Sequence, residues 1–169
     1  MSYTFTTDRF SCSLVDGDDK PKVGMLYQHK KVMRMIGPPL SAEDASALAD
    51  KMTEFNKQPL PALKVWRITA KDTAQFAGIQ MLKWKDGKEA NTAEIGIMLA
   101  PEANHKGVAV EAMGALVRFA FRNLEVSQIV ANFHDRHLAT EKLVRSLGFV
   151  ASDCAPTADN QRRFIIYRP

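Results

Sequence analysis

The sequence is poor in cysteine. Cys12 and Cys154 are the two cysteines among 169 residues. They are far apart and show no spacing typical of metal ligands, which excludes a disulfide-stapled domain and a cysteine-ligated zinc site. We expect both thiols to be reduced and to serve as packing residues in strands or at strand edges.

Long hydrophobic runs are also missing. The apolar stretches fall far short of the roughly 20 residues that a bilayer crossing requires. The first residues, MSYT, lack the basic and then apolar order of a secretory signal. These absences predict a protein without a membrane segment and with a cytoplasmic location.

Charge of one sign is not concentrated along the chain. The 23 Lys and Arg and 19 Asp and Glu residues give a formal net charge of +4, and aromatic residues make up 8%. A nucleic-acid interface needs a concentrated basic face with stacking aromatic residues, so we expect no nucleic acid as a partner. The mild positive excess suits a smaller anionic ligand. The length and the 46% hydrophobic content fit one domain, residues 1–169, as a monomer or homodimer.

Apolar periodicity and turn residues predict an α/β (α+β) chain. Helical spacing predicts two short helices within 20–35, a third that begins after Ser41 and stops before Pro59, and helices at 106–123 and 137–147. Strand patterns are predicted at 9–14, 64–69, 76–84, 92–99, 128–133, 149–153 and 163–167. The three middle strands form an antiparallel meander, and the later strands join the same sheet.

The stretch from Ile97 to Ala112 is an apolar strand, a short loop and the start of a long helix. A helix start has unpaired backbone N–H groups and a positive dipole end, which together bind phosphate. Gly107 and Ala109 leave room for a pyrophosphate to approach the backbone. The alternative is a plain junction between a loop and a helix.

Two further segments resemble the GNAT superfamily of acetyltransferases when they are taken with this loop. Asn104-x-x-Gly107-x-Ala109 is a near match to its CoA-binding motif, and Ser146-Leu147-Gly148-Phe149 matches the end of its second motif. Thr7-Asp8-Arg9-Phe10 resembles the opening of the branch that includes ribosomal-protein N-terminal acetyltransferases. The resemblance spans nearly the whole chain and implies the GNAT fold: a mixed, mostly antiparallel twisted sheet of about seven strands, flanked by helices, with a splayed central strand pair.

The resemblance also implies acetyl-CoA as cosubstrate and assigns its contacts. The assigned contacts are the backbone of Ile97, Met98 and Leu99 for the pantetheine arm, Asn104, His105, Lys106, Gly107, Val108 and Ala109 for the pyrophosphate, and His137 and Thr140 farther along the chain. Four residues depart from the family pattern, namely Asn104, His105, His137 in place of Asn, and Val144 in place of a tyrosine acid.

Three residues are candidates for catalysis. The backbone N–H at Leu99 is the expected donor to the thioester oxyanion, and Thr140 is the candidate for contact with the CoA sulfur. Glu94 is the candidate base for the amine, the alternative being a cross-strand partner for a lysine or arginine. Thr140 has a helix-cap role as its alternative. His134, Asp135 and His137 straddle a strand-to-helix turn, so no metal site is expected.

The sequence thus predicts an N-acetyltransferase that moves an acetyl group from acetyl-CoA to a primary amine by direct attack. The amine is a protein N-terminal α-amine or a small molecule. The alternative function is a degenerate, non-catalytic GNAT module that binds acyl-CoA or a protein partner, and the four departures from the family pattern motivate it.

Overall fold

A computed structural model describes residues 2–59, 62–85, 91–104, 106–154 and 160–169. Within these ranges eight strands form one sheet of order β1-β2-β3-β4-β5-β6-β8-β7. The strands are β1 (Phe5–Thr6), β2 (Phe10–Leu14), β3 (Leu63–Ala70), β4 (Phe76–Trp84), β5 (Thr92–Leu99), β6 (Gln128–His134), β7 (Val150–Ala151) and β8 (Gln161–Tyr167). The helices are α1 (Lys20–Gln28), α2 (Lys30–Met33), α3 (Ala42–Lys57), α4 (Val108–Asn123) and α5 (Leu138–Ser146).

The sheet is antiparallel except at its centre, where β5 and β6 run parallel. They pair only through Thr92–Glu94 and Gln128–Val130, although β5 continues to Leu99 and β6 to His134. The two strands therefore separate toward their C-terminal ends and leave a wedge-shaped gap. The predicted mixed sheet with a splayed central pair is confirmed.

Two apolar layers fill the space on either side of the sheet. On one face, α4 and α5 pack on β-sheet residues that include Ala93, Ile95 and Ile129. On the other face, α1, α2 and α3 enclose a second cluster that includes Met33 and Met98. Because side chains alternate along a strand, the even-numbered residues of β5 face α1 and α3, and the odd-numbered residues face α4.

Lys64 fastens the end of α3 to the sheet. The residue is 1% exposed, and its Nζ donates to the carbonyl groups of Phe55, Asn56 and Gln58 at 3.4, 3.0 and 2.7 Å. These carbonyls lie in or just after the last turn of α3 and include groups that the helix itself leaves without a partner. A buried ammonium thus finds acceptors where the helix dipole is negative.

Several predictions of local structure need correction. The sheet has eight strands rather than about seven, because β1 was not foreseen. α4 begins at Val108 rather than at residue 106, since Gly107 has left-handed torsions (φ 72°, ψ 10°) and is the N-cap. Cys12 is buried as predicted, but Cys154 is exposed, so a packing role for Cys154 is wrong.

Candidate active site

The direction of the backbone groups along β5 decides which of them face the gap. In an antiparallel ladder, hydrogen-bonded pairs alternate with pairs whose N–H and C=O groups point the other way. The N–H of Ala100 donates to the carbonyl of Ala77 at 2.8 Å. Two residues earlier in the register, Met98 is therefore hydrogen-bonded to Ile79 on β4. The backbone of Met98 is used within the sheet, so it does not fit the predicted role in binding pantetheine.

Ile97 and Leu99 have the opposite orientation. Their N–H and C=O groups point away from β4 and into the gap, where β6 has already separated from β5. An extended chain of amide groups placed in the gap finds the same hydrogen-bond partners that a neighbouring strand would provide. The geometry thus suits two of the three strand residues predicted to bind pantetheine.

β5 is held close to β4 at Gly78. This glycine has φ +154°, and a Cβ built on it would lie 2.2 Å from the Met98 oxygen and 2.8 Å from the Leu99 Cα. The register between β3 and β4 also shifts beside it, at Ile68 and Thr69. There is therefore no room for a side chain at Gly78, where β4 lies against the backbone of Met98 and Leu99.

The start of α4 lies just beyond the C-terminal end of β5. Its first intrahelical bond runs from the Glu111 N–H to the Gly107 carbonyl (3.2 Å). Gly107, the N-cap, has no side chain that could cap the helix. The first-turn N–H groups of Val108, Ala109 and Val110 have no acceptor within the helix itself. Together with the positive end of the helix dipole they make this turn a candidate site for an anion. We call it the anion-binding turn.

Arg9, in the N-terminal segment, contacts residues on both sides of the start of this turn. Its Nη1 donates to the Lys106 carbonyl at 3.1 Å, and its Nε lies 3.1 Å from Oε2 of Glu111. A Cβ on Gly107 would lie 3.5 Å from Arg9 Nη2. Arg9 thus offsets the carboxylate of Glu111 beside the turn. Sequence reasoning assigned Arg9 no role, although the Thr7-Asp8-Arg9 segment was part of the family resemblance.

Two other residues of the predicted loop, Asn104 and Lys106, precede this turn in the chain. Asn104 is exposed and follows a 3-10 turn over Pro101–Ala103. Lys106 contributes its carbonyl to Arg9, as described above. The prediction for His105 lies outside the described residues.

His137 and Thr140 lie across the gap from β5, after the C-terminal end of β6. We call this side of the gap the β6 wall. The Thr140 hydroxyl is hydrogen-bonded to Nδ1 of His137. The pKa of His137 is lowered below its ordinary value. The main cause is burial of the imidazole, and the charges of Arg34 and His134 add to it. The imidazole is therefore neutral at pH 7. The Thr140 hydroxyl thus lies beyond the C-terminal end of β6, where the two central strands have separated, and its hydrogen-bond partner is His137.

Glu94 lies where β5 and β6 begin to separate, opposite Val130. Its half-buried side chain shares a face with that of Met98, toward α1 and α3. In the β4 register it lies directly across from Lys83, and no ion pair involves Glu94 among the described residues. The cross-strand position predicted as the alternative role is therefore present, without a close contact to the lysine.

Val144 is completely buried under the sheet, so the usual tyrosine acid has no counterpart there. Within the described ranges, no group of three or more His, Cys, Asp or Glu residues could hold a metal ion. Likewise, no helix in the described part of the chain is long and apolar enough to cross a bilayer.

Comparisons with known proteins agree with this geometry. Residues 13–150 match the family model of the acetyltransferase (GNAT) domain. A comparison with curated protein sequences finds no match.

Solved structures share the fold over nearly the whole chain. A GNAT-family acetyltransferase from Bacillus anthracis is 17% identical, with a TM-score of 0.80 and 98% of each chain covered. Spermidine N-acetyltransferase from Vibrio cholerae, in complex with CoA and spermine, is 18% identical, with a TM-score of 0.77 over 95% of this chain and 96% of that one. Ribosomal-protein-S5-alanine acetyltransferase from Vibrio fischeri is 14% identical, with a TM-score of 0.80 over 99% and 97%. At these identities the likeness shows the fold alone.

Proposed function

Since the chain belongs to the GNAT acetyltransferase family, we propose that it transfers an acetyl group from acetyl-CoA to a primary amine by direct attack on the thioester. The gap between β5 and β6 carries this proposal. Its β5 edge presents the backbone groups of Ile97 and Leu99, which pair with no other strand of the described residues, and it opens onto the anion-binding turn at the start of α4. A pantetheine arm fits the first feature and a pyrophosphate fits the second.

Each candidate residue has a defined task in this reaction. The Leu99 N–H donates to the carbonyl oxygen of the thioester as negative charge develops on it. Glu94, on the face away from α4, is the base for the proton that the attacking amine loses. Because it lies five residues before Leu99 along β5, the proton reaches it through intervening water. The Thr140 hydroxyl, held by the neutral His137, lies on the wall where the CoA thiolate departs and donates a hydrogen bond to it.

The first experiment is a thermal-shift titration with acetyl-CoA, CoA and ATP. At about 100 times the dissociation constant a ligand adds about 2.7 kcal/mol to the stability of the folded protein. For a chain of this size we expect a rise in Tm of about 5–10 °C with both CoA species. ATP supplies phosphates but no pantetheine, so its shift should be much smaller.

A turnover assay then separates the two candidate functions. Release of free CoA thiol in the presence of a panel of primary amines would support the enzyme. Binding of CoA without turnover of any amine would favour the non-catalytic GNAT module. No shift with either CoA species at millimolar concentration would contradict the enzyme and would favour a GNAT module that binds a protein partner.

Glu94→Gln tests the role of the base. We expect kcat at neutral pH to fall about 100-fold for a lysine-like or aliphatic amine, since that amine is protonated in water and must lose a proton. Lys83→Ala is the matched control, because it removes the cross-strand neighbour and leaves the carboxylate. We expect this variant to change kcat less than about threefold. Equal losses in the two variants would show that Glu94 acts only through its pairing with Lys83.

A further inference from the structure

The helices beside the gap carry a one-sided charge. Between Asp19 and Glu43 the sequence contains five Lys and Arg residues and no Asp or Glu. These five cations exceed the formal net charge of +4 for the whole chain, so the remainder of the chain is close to neutral. The five are Lys20, Lys22, Lys30, Lys31 and Arg34.

Two of these cations have partners of their own. Lys20 Nζ is 2.6 Å from Oδ1 of Asp50 on α3. Lys22 Nζ lies over the ring of Phe76, 5.9 Å from its centroid. Lys30, Lys31 and Arg34 are exposed, and none of them forms an ion pair with another described residue. We call these three the α2 cations.

The end of α2 lies near the C-terminal end of the gap. Met33 of α2 shares a buried cluster with Met98 and Ala100, at the end of β5. Arg34 follows Met33 directly, and its charge reaches His137 on the β6 wall, where it contributes to the lowered pKa of that imidazole. Arg34 therefore borders the gap on the face opposite α4, and Lys30 and Lys31 precede it in the same short helix.

Under the proposed function, the acceptor enters from this face. The proposed function places the phosphates of the cofactor at the first turn of α4, on the other face of the sheet. The amine must then approach the thioester from the side of α1 and α2. The described carboxylates on the elements that line this end of the gap are Glu94 at its base, Glu102 after β5, Asp135, whose Oδ1 is 3.2 Å from Nδ1 of His134, and Glu141, which pairs with Arg145 and Arg162.

We propose that the acceptor is a primary amine with a negatively charged group close to the amine, and that Arg34, supported by Lys30 and Lys31, binds that group. This proposal rests on the proposed function. A guanidinium binds a carboxylate or phosphate through paired hydrogen bonds, and neighbouring lysines add attraction. A polycation such as spermine, which is bound in the Vibrio cholerae enzyme, would instead meet like charges. An acidic peptide N-terminus and a small amine with a carboxylate or phosphate share this chemistry.

The test compares matched acceptors at saturating acetyl-CoA. One set is a peptide with a fixed N-terminal serine and with Asp, Asn or Lys at its second and third positions. The other set pairs propylamine with β-alanine and ethanolamine with phosphoethanolamine, and adds spermidine. We expect kcat/KM for the anionic member of a set to exceed that of the neutral member by about tenfold and that of the cation by about 100-fold. The set in which this difference appears identifies peptide or small molecule as the source.

Variants assign the preference to Arg34. Arg34→Gln should lower kcat/KM for the anionic acceptor about tenfold without changing the KM for acetyl-CoA, and Arg34→Glu should reverse the order of acceptors. Arg34→Lys should restore part of the loss. Lys22→Gln is the control, because it removes a cation of the same segment that lies against Phe76, and it should leave the preference unchanged.

Binding of the same acceptors to the CoA-loaded protein, measured by titration calorimetry, determines the preference without turnover. Equal binding of anionic and neutral amines, or tighter binding of spermidine, would overturn the inference about the acceptor. Turnover of any of these amines would still leave the proposed function intact. Failure of turnover, with the anionic preference present in calorimetry, would contradict only the proposed function.

Discussion

Leu99→Pro is expected to lower kcat about 10²- to 10³-fold while the protein remains folded. Proline lacks an N–H, and the N–H of Leu99 is the group that faces the thioester oxygen in the proposed reaction. Loss of one preorganised donor to an oxyanion costs a rate factor of about this size. The β4 ladder is expected to survive because its hydrogen bonds come from Met98 and Ala100, not from Leu99.

Two controls separate the donor from other effects of proline. Leu99→Ala keeps the N–H and removes the side chain that packs toward α4, so it should lower the Tm with kcat within several-fold of the parent. Met98→Pro should instead lower the stability of the fold, because it removes an N–H that bonds to Ile79 within the sheet. Circular dichroism melts and thiol-release kinetics of all three variants provide the comparison.

Retention of full turnover by Leu99→Pro would remove this amide from the mechanism. If the proline ring itself obstructed the gap, CoA binding would be lost together with kcat in calorimetry. An amide-to-ester replacement at Leu99, made by chemical ligation, then removes the N–H without adding a ring. A normal rate in the ester would contradict the assignment.

The regular elements were within reach of sequence reasoning where apolar alternation was strong. The strands predicted at 76–84 and 92–99 have the observed bounds, because their side chains alternate between two buried faces. β1 was missed because it has two residues, Phe5 and Thr6, and depends on contacts far along the chain. The Phe5 ring stacks on Phe119 of α4, with centroids 5.0 Å apart. No local pattern predicts such a pairing.

The site was predictable in its chain positions but not in its orientation. The loop and helix that form the anion-binding turn follow β5 directly in sequence, so a local motif identifies them. Whether Met98 or Leu99 turns its amide to the gap depends on the β4 register, which tertiary packing fixes. Arg9 and Arg34 reach the site from the N-terminal third of the chain. The sequence signal for Arg34 was the stretch without Asp or Glu between Asp19 and Glu43. That signal points to a binding role only once the fold places α2 beside the gap.

Gly78→Ala is expected to destabilise the fold by about 3–5 kcal/mol, among the largest effects of a single substitution. A methyl group there would lie 2.2 Å from the Met98 oxygen and 2.8 Å from the Leu99 Cα. Both contacts are with backbone, so no change of side-chain rotamer relieves them, and the φ of +154° is itself unfavourable for alanine. The strands can accommodate the methyl only by moving apart at Met98 and Leu99.

The matched control is Gly96→Ala, on the neighbouring strand of the same sheet. Its nearest contacts would be the Cγ of Met81 at 3.4 Å and the Sδ at 3.8 Å, and that flexible side chain can shift. We expect the Tm to fall by at least about 6 °C in Gly78→Ala and by less than about 2 °C in Gly96→Ala. Equal Tm values would contradict the close approach.

Because separation of β4 from β5 also turns the Leu99 N–H away from its direction into the gap, the folded fraction of Gly78→Ala, assayed well below its Tm, should still show a lower kcat than the parent. A normal kcat in that fraction would mean that β5 holds the orientation of Leu99 without the support of β4.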